Sequence, residues 1–258
     1  MEIDTDIFTK IPDIDWREPA PIVNVEEFRK VVMSRRSIRV FDGTPIPETV
    51  VNDCIDMALL APNSSNLQPW EFYWVKTPEK KQKLVEACFS QPAARTADIL
   101  IVCVARTKAW KITRQQMLRE FQRQGDKVPK SALAYYEKLV PVAYNMGPLN
   151  LFGFLKKVAA FFIGFKRPIP REPMSESDMK IWAVKSCSLA AENLMLAFRA
   201  HGFDSCPMEG YDSARLRKII PLESDAFVTM VIGAGKRSSK GVYGPRIRFK
   251  RAQFVKEI

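Results

Sequence analysis

Four short stretches of this chain carry side chains suited to holding a phosphorylated, polar ligand. Ser34-Arg35-Arg36-Ser37-Ile38-Arg39 sets three guanidiniums and two hydroxyls within six residues. Such a set can fork onto a phosphate while its hydroxyls reach neighbouring sugar oxygens; a solvated basic turn is the other reading. Ala61-Pro62-Asn63-Ser64-Ser65-Asn66-Leu67-Gln68-Pro69-Trp70 offers a row of hydroxyls and amides between prolines that restrict the backbone. It suits the edge of a polar ring, or it simply caps an element. Cys206-Pro207-Met208-Glu209-Gly210-Tyr211 has a proline and a glycine where a tight turn would push backbone N–H groups forward. In Pro245-Arg246-Ile247-Arg248 the alternation puts Arg246 and Arg248 on one face of an extended segment.

Much other chemistry is excluded by counts. His201 is the one histidine, so a multi-histidine metal site is impossible, and any Ser-His-Asp or Cys-His triad would rest on it alone. The five cysteines (Cys54, Cys88, Cys103, Cys187, Cys206) show no CxxC spacing, and most sit in apolar runs, which reads as reduced, buried thiols in a cytoplasmic protein. The first fifteen residues hold five acidic side chains and no apolar core of a secretory signal. No run of 18 uncharged apolar residues occurs. The formal net charge of +11 calls for a nucleic acid, a membrane surface or a phosphorylated cofactor, unless the basic groups are evenly spread.

The elements that must position the four stretches are legible in outline. Asn24 caps a helix over 25–34, with Glu26 and Glu27 in its first turn where the helix dipole favours them. Pro45 and Pro47 open a second helix over 48–60, whose Val50, Val51, Cys54, Ile55, Ala58 and Leu59 recur at helical spacing. Strands are expected over 71–76, 98–105 and 226–232, and helices over 78–89, 177–201 and 211–220. Gly202 closes the long helix in a left-handed conformation. Gly233-Ala234-Gly235-Lys236 lacks the rest of a P-loop and reads as a turn. The chain is organised as one domain over 23–235, with a helical insertion at about 106–175, an N-terminal arm over 1–22 and a basic C-terminal arm over 236–258.

Taken together and in this order, the four stretches resemble the FMN-dependent nitroreductase family. The resemblance covers roughly 24–105 and 177–250 and leaves the insertion outside. It implies an α+β fold, a nitroreductase-like α/β/α sandwich with a mainly antiparallel central sheet, built as an intertwined homodimer with FMN at the interface. By the same resemblance Arg35, Arg36 and Ser37 would bind the FMN phosphate and ribityl chain, and Arg246 and Arg248 would close on the phosphate. Arg39 would lie near the N1/O2 edge of the ring. Pro62, Asn63, Ser64 and Asn66 would line the flavin from the other subunit. Pro207 and Met208 would pack at the ring, with a backbone N–H of Glu209 or Gly210 near N5, and Gln91 would touch the ring. No catalytic side chain and no metal is implied, because the flavin carries the electrons. Lys185 departs from the acidic or polar residue of many relatives.

The implied activity is ping-pong transfer from NADPH or NADH through FMN to a nitroaromatic, quinone or similar acceptor. The same fold hosts reductive dehalogenation, enone reduction and dehydrogenation, and does not choose among them. A non-enzymatic basic module for nucleic acid or membrane is the alternative from another class. Nothing resembles an RNA-recognition motif, a helix-turn-helix or a zinc finger, so no nucleic acid is expected. Within the insertion, Leu151, Phe154, Leu155, Val158, Phe162 and Phe165 recur at three- and four-residue steps, flanked by Lys156, Lys157, Lys166 and Arg167. Phe152, Phe161 and Ile163 widen that face. A lid over the flavin or at the dimer interface is the first expectation for 149–168, and a peripheral contact with an anionic membrane is the second. Trp110, Phe121, Tyr135, Tyr136 and Tyr144 offer rings for stacking a planar acceptor, or plain packing.

Overall fold

The computed structural model describes residues 16–258, so most of the arm expected over 1–22 lies outside the described residues. Helix α1 spans Val25–Ser34, and the Asn24 side chain accepts hydrogen bonds from the N–H groups of Glu26 and Glu27, as its cap position demands. Helix α2, Glu48–Leu59, starts after Pro47 and buries Val51, Cys54 and Ala58 at helical spacing. Strand β1 (Trp70–Trp74), helix α3 (Pro78–Ala87) and the short helix α4 (Pro92–Arg95) lead to strand β2, Ile99–Arg106. The helix expected to reach residue 89 stops at Ala87, because Phe89 and Ser90 take left-handed backbone angles.

Helices α5 (Trp110–Gln124), α6 (Lys130–Ala134), α7 (Val140–Tyr144) and α8 (Leu151–Ile163) follow, with a π-helical turn, Tyr135–Leu139, between α6 and α7. Helix α9, Glu176–Ala200, is capped by Ser175 and closed by Gly202, whose φ of 81° is the left-handed conformation expected of it. Strand β3 (Asp204–Met208), helix α10 (Ser213–Ile219) and strand β4 (Ala226–Gly235) complete the core.

The sheet runs β1-β2-β4-β3 and every pairing is antiparallel. Strand β2 is central and alternates perfectly between two cores. Ile99, Ile101, Cys103 and Ala105 face α2 and α9. Leu100, Val102 and Val104 face α3, α4 and α10. Helix layers thus cover both sides of an antiparallel sheet, which makes the fold α+β with an α/β/α arrangement. In α9 the small residues Ala183, Cys187, Ala190 and Ala191 are buried and let its backbone approach the sheet closely.

Two sequence expectations are corrected. The Gly233–Gly235 stretch is the end of β4, not a turn. A Cβ at Gly233 would lie 2.7 Å from the Ala93 carbonyl oxygen, and one at Gly235 would lie 2.9 Å from the Phe41 ring. Close approach of neighbouring chain, not loop flexibility, is why glycines stand there. The Cys206–Met208 stretch is not a connector turn either, because it pairs with β4 as strand β3. Ser205 accepts from the Ile38 N–H on the outer edge of that strand. Pro207, two residues on, has no N–H to offer that edge, and the pairing with the Ser37 segment stays a single bridge.

All five cysteines are free and buried. Burial pushes the Cys54 thiol up to about 12 and those of Cys88 and Cys187 up to about 11, so these sulfurs are packing groups with little thiolate. His201 pairs with Asp53 through a 2.6 Å contact between Nε2 and Oδ2, so the one histidine is engaged with a carboxylate on α2.

Candidate functional site

Helix α1 ends at Ser34, and its last turn delivers Arg35, Arg36, Ser37 and Arg39 to the β3 edge of the sheet. The C-terminal arm returns to the same place. Arg36 Nη2 donates to the Gly244 carbonyl at 2.7 Å, and Arg246 Nη2 donates to the carbonyls of Met33 at 2.8 Å and Arg35 at 2.5 Å. The Arg39 N–H donates to the Gly241 carbonyl, and its guanidinium sits 5.3 Å from the centre of the Tyr243 ring. The segment after α1 and the C-terminal arm therefore meet. They enclose a cleft of about 290 Å³ lined by Arg35, Arg36, Ser37, Arg39, Pro245, Arg246, Ile247 and Arg248.

Among the described residues, five guanidiniums line this cleft and no carboxylate does. Glu192 of α9 pairs with Arg35, its Oε1 lying 3.7 Å from the Arg35 Nε. Desolvation, then the neighbouring guanidiniums of Arg248, Arg36 and Arg35, hold Arg246 below the ordinary arginine value. Crowded like charges of this kind are relieved by an anion, and a phosphate dianion, whose tetrahedral oxygens can accept in pairs, matches the guanidinium fork.

The floor beside the cleft comes from β3. Cys206, Pro207 and Met208 run along the strand, and Glu209 and Gly210 emerge exposed at its end. Gln91 Nε2 donates to the Gly210 carbonyl at 2.7 Å and to the Cys88 carbonyl at 3.0 Å. The structure thus brings Gln91 beside the segment after β3. Asp212 ends that segment by capping α10, its Oδ1 accepting from the N–H groups of Ala214 and Arg215 at 3.0 Å each.

Pro62, Asn63, Ser64 and Asn66 lie elsewhere. Their loop leads into β1, and β1 is the opposite edge of the sheet from β3, three strand spacings or roughly 14 Å across. The loop is held in a strained shape, with Ser65, Asn66 and Gln68 all at positive φ. Three tyrosines of the insertion hold it. Ser64 Oγ lies 2.8 Å from the Tyr144 hydroxyl, and Ser65 Oγ lies 2.6 Å from that of Tyr135. Tyr136 donates its hydroxyl to the Ser65 carbonyl at 2.8 Å. Burial pushes Tyr136 up to about 12 and raises Tyr144 despite its serine partners, so both stay protonated donors.

These hydroxyl contacts were invisible in the sequence, where the same tyrosines read as stacking surface or packing. Trp110 and Phe121 are packing: Phe121 meets Tyr136 edge to face at 5.4 Å, and Trp110 is buried beside Tyr144. A cavity of about 840 Å³ opens against Asn63, Ser64 and Ser65. Its walls are Tyr135, Leu139, Ala143, Tyr144, Trp182, Ile181, Leu189 and the Pro168–Pro173 segment, with Arg167, Glu172, Asp178 and Lys185 among them. Of these, Asp178 accepts from the Met174 N–H, while Lys185, Arg167 and Glu172 have no ion pair among the described residues.

The chain is similar to several known proteins. The profile of the Nitroreductase family matches residues 32–236. A Thermus thermophilus protein named NADH dehydrogenase is 26% identical over 88% of this chain and 95% of its own length. The 4-nitrobenzoate reductase of Pseudomonas putida is 28% identical over 76% of this chain and 77% of its own. Among solved structures, the Bacillus subtilis protein ydfN superposes with a TM-score of 0.71 at 22% identity, covering 91% of this chain and 100% of that one. A nitroreductase from Exiguobacterium sibiricum, solved in complex with FMN, superposes at 0.67 with 24% identity, over 93% and 99% of the two chains. The match spans most of the described core, from the end of α1 through β4, and the chain belongs to the Nitroreductase family.

Proposed function

We propose that this chain is an FMN-dependent oxidoreductase that takes electrons from NADPH or NADH and passes them by a ping-pong mechanism to a nitroaromatic, quinone or similar acceptor. One observation carries the reading: the segment after α1 and the C-terminal arm converge on a single cleft walled by five arginines, with no carboxylate among the described residues that line it. That donor set fits the phosphate of FMN. Arg35, Arg36, Ser37, Arg246 and Arg248 would hold the phosphate and ribityl chain, and Arg39 would lie toward the N1/O2 edge of the ring. Pro207 and Met208 would support the ring, with the N–H groups of Glu209 and Gly210 and the amide of Gln91 at its polar edge. When bound, FMN supplies hydride acceptance and donation. The chain's part is to fix the ring, hold positive charge near the reduced pyrimidine edge and keep bulk water away.

A single protomer leaves Pro62, Asn63, Ser64 and Asn66 on the far edge of the sheet from the arginines. A homodimer that brings this loop against the partner's arginine cleft is therefore part of the proposal. The exposed apolar side chains of α1 (Val25, Phe28, Val32) and of the C-terminal arm (Ile247, Phe249, Phe254) support it, since neither segment covers them within the protomer. In that assembly the 840 Å³ cavity beside Ser64 becomes the acceptor pocket, with apolar walls for a planar body. Lys185 and Arg167, which share its wall with Glu172 and the already bonded Asp178, would give an anionic group on the acceptor a counter-charge. 4-Nitrobenzoate, in the name of the Pseudomonas relative, is such a molecule. The expected result for Lys185→Glu is a KM about tenfold higher for a carboxylate-bearing nitroaromatic, as for the loss of about 1.4 kcal/mol of binding. A neutral quinone should keep its KM, and equal changes for both acceptors would remove Lys185 from this role.

The direct test of the activity is the visible spectrum of the purified protein, recorded anaerobically before and after NADPH or NADH is added. Flavin bands that bleach with a nicotinamide are expected. Protein that stays colourless and cannot be reconstituted with FMN would overturn the reading, and bound flavin indifferent to both nicotinamides would overturn the donor.

A further inference from the structure

Helix α8, Leu151–Ile163, wears its apolar face on the wrong side for a lid over its own protomer. Its buried residues are the small Gly153 and Ala160, and Gly153 packs so closely that an added Cβ would meet the Met174 carbonyl and Asn150. Lys156 reaches inward as well, donating from Nζ to the carbonyls of Ala143 at 2.8 Å and Pro173 at 3.1 Å. On the opposite side, Phe154, Leu155, Val158, Phe161, Phe162 and Phe165 are all exposed, Phe162 by 64% and Phe165 by 74%. At about 100° per residue these six fall within an arc of about 120°, centred away from Gly153 and Ala160. Phe161 meets Phe162 and Phe165 edge to face at 5.4 and 5.0 Å, so the rings pack on one another above the surface. Leu149, at the turn before the helix, is fully exposed and held at a φ of 49°.

Charge selects what covers this face. Between Glu137 and Glu172 lie 34 residues without a single carboxylate, and six of them are Lys or Arg. Lys157 flanks the apolar arc, and Lys166 and Arg167 follow directly at the helix end. A second copy of the chain, meeting this face with the same face, would set these cations against their own copies with no acid in the segment to pair them. An anionic surface with an apolar interior satisfies both features at once. The geometry points to a face that docks on the surface of an anionic lipid bilayer, with the phenylalanines of α8 in the headgroup–acyl boundary and Lys157, Lys166 and Arg167 at the headgroups. The helix lies along the surface and does not cross it. Thirteen residues rise only about 20 Å against a hydrocarbon core of about 30 Å. Among the described residues no single helix is long and apolar enough to cross a membrane, and the segment Lys130–Tyr144, bent 77° from Pro148–Ile163, buries Tyr136, Val140 and Tyr144 in the protein core. Arg167 also belongs to the wall of the 840 Å³ cavity, so docking sets the cavity beside the lipid surface.

The test is flotation of the purified full-length protein, as isolated, with vesicles of phosphatidylglycerol and phosphatidylcholine against vesicles of phosphatidylcholine alone. Its readout is independent of any flavin activity. Binding to the anionic vesicles, weakened by added salt, is expected. Phe162→Asp with Phe165→Asp should lower the bound fraction at least tenfold, and so should Lys157→Glu with Lys166→Glu, which changes only exposed charges. No flotation of the parent protein with anionic vesicles at low salt would overturn the proposal. Undiminished flotation of both variants would also overturn it, as would a fall of the Phe162/Phe165 variant from dimer to monomer in sedimentation, which would make the face a subunit contact. If the phenylalanine variant fails to fold, the charge variant and the neutral vesicles still decide.

Discussion

Replacing Arg35 and Arg246 together by alanine is expected to weaken FMN binding by two to four orders of magnitude. Each guanidinium lines the cleft where the segment after α1 and the C-terminal arm meet. A hydrogen bond to a charged group contributes roughly 1.5–3 kcal/mol, so two lost phosphate contacts amount to roughly 3–6 kcal/mol, or about 10² to 10⁴ in Kd. Arg246 does more than present charge, because its Nη2 ties the C-terminal arm to the Met33 and Arg35 carbonyls. Its loss should therefore free the arm as well. Lysine at both positions keeps the charge but not the fork, and an intermediate affinity is expected. Titration of the apoprotein with FMN, followed by quenching of flavin fluorescence, measures the effect. A Kd within threefold of the parent, with an unchanged melting temperature, would take the phosphate away from this cleft.

The second large effect is on stability. Asp204 opens β3 with its side chain 1% exposed, and it is clasped by two arginines. Arg237 donates to it twice, at 2.7 Å from Nε and 2.5 Å from Nη2, and Arg199 Nη1 donates at 3.0 Å. These bonds hold the Arg237 guanidinium above its ordinary value. Asp204→Ala would leave both cations half-buried with no counter-charge, and breaking a buried pair from one side costs about 3–5 kcal/mol. At roughly 2–4 °C per kcal/mol in a chain of this size, the melting temperature should fall by about 10 °C. Arg237 also donates to the Ser34 carbonyl at 3.2 Å, one residue before Arg35, so the loss should reach the arginine cleft and weaken FMN binding too. Thermal unfolding followed by circular dichroism decides it. A drop below 3 °C would mean that Arg199 and Arg237 find other partners at no cost.

Local structure was readable along the chain wherever the cause is local. The Asn24 cap, the start of α2 after Pro47, the left-handed Gly202 and the buried run of β2 each depend on a few adjacent residues, and each stands as expected. Strand β3 was missed because Pro207 and Gly210 mimic a turn. What makes Cys206–Met208 a strand is β4 alongside it, and no window of sequence contains both. Gly233 and Gly235 were misread for the same reason, since the atoms that exclude a side chain there belong to Ala93 and Phe41.

The candidate site divides in the same way. Residue types named its chemistry, because arginines, hydroxyls and amides at close spacing carry their donor geometry with them wherever they go. Whether Arg35 and Arg246, 211 positions apart, share one cleft was settled only when the fold brought the segment after α1 and the C-terminal arm together at the β3 edge. The same sheet carried Pro62, Asn63, Ser64 and Asn66 to the other edge, beside tyrosines whose hydroxyls no periodicity could assign. Periodicity likewise marked α8 as amphipathic but could not say which way its phenylalanines point. That direction was decided by Gly153 and Ala160, whose lack of bulk lets the opposite side of the helix lie flat on the protein. Donor chemistry and backbone preference travel with the residue, whereas adjacency across a sheet is created by folding.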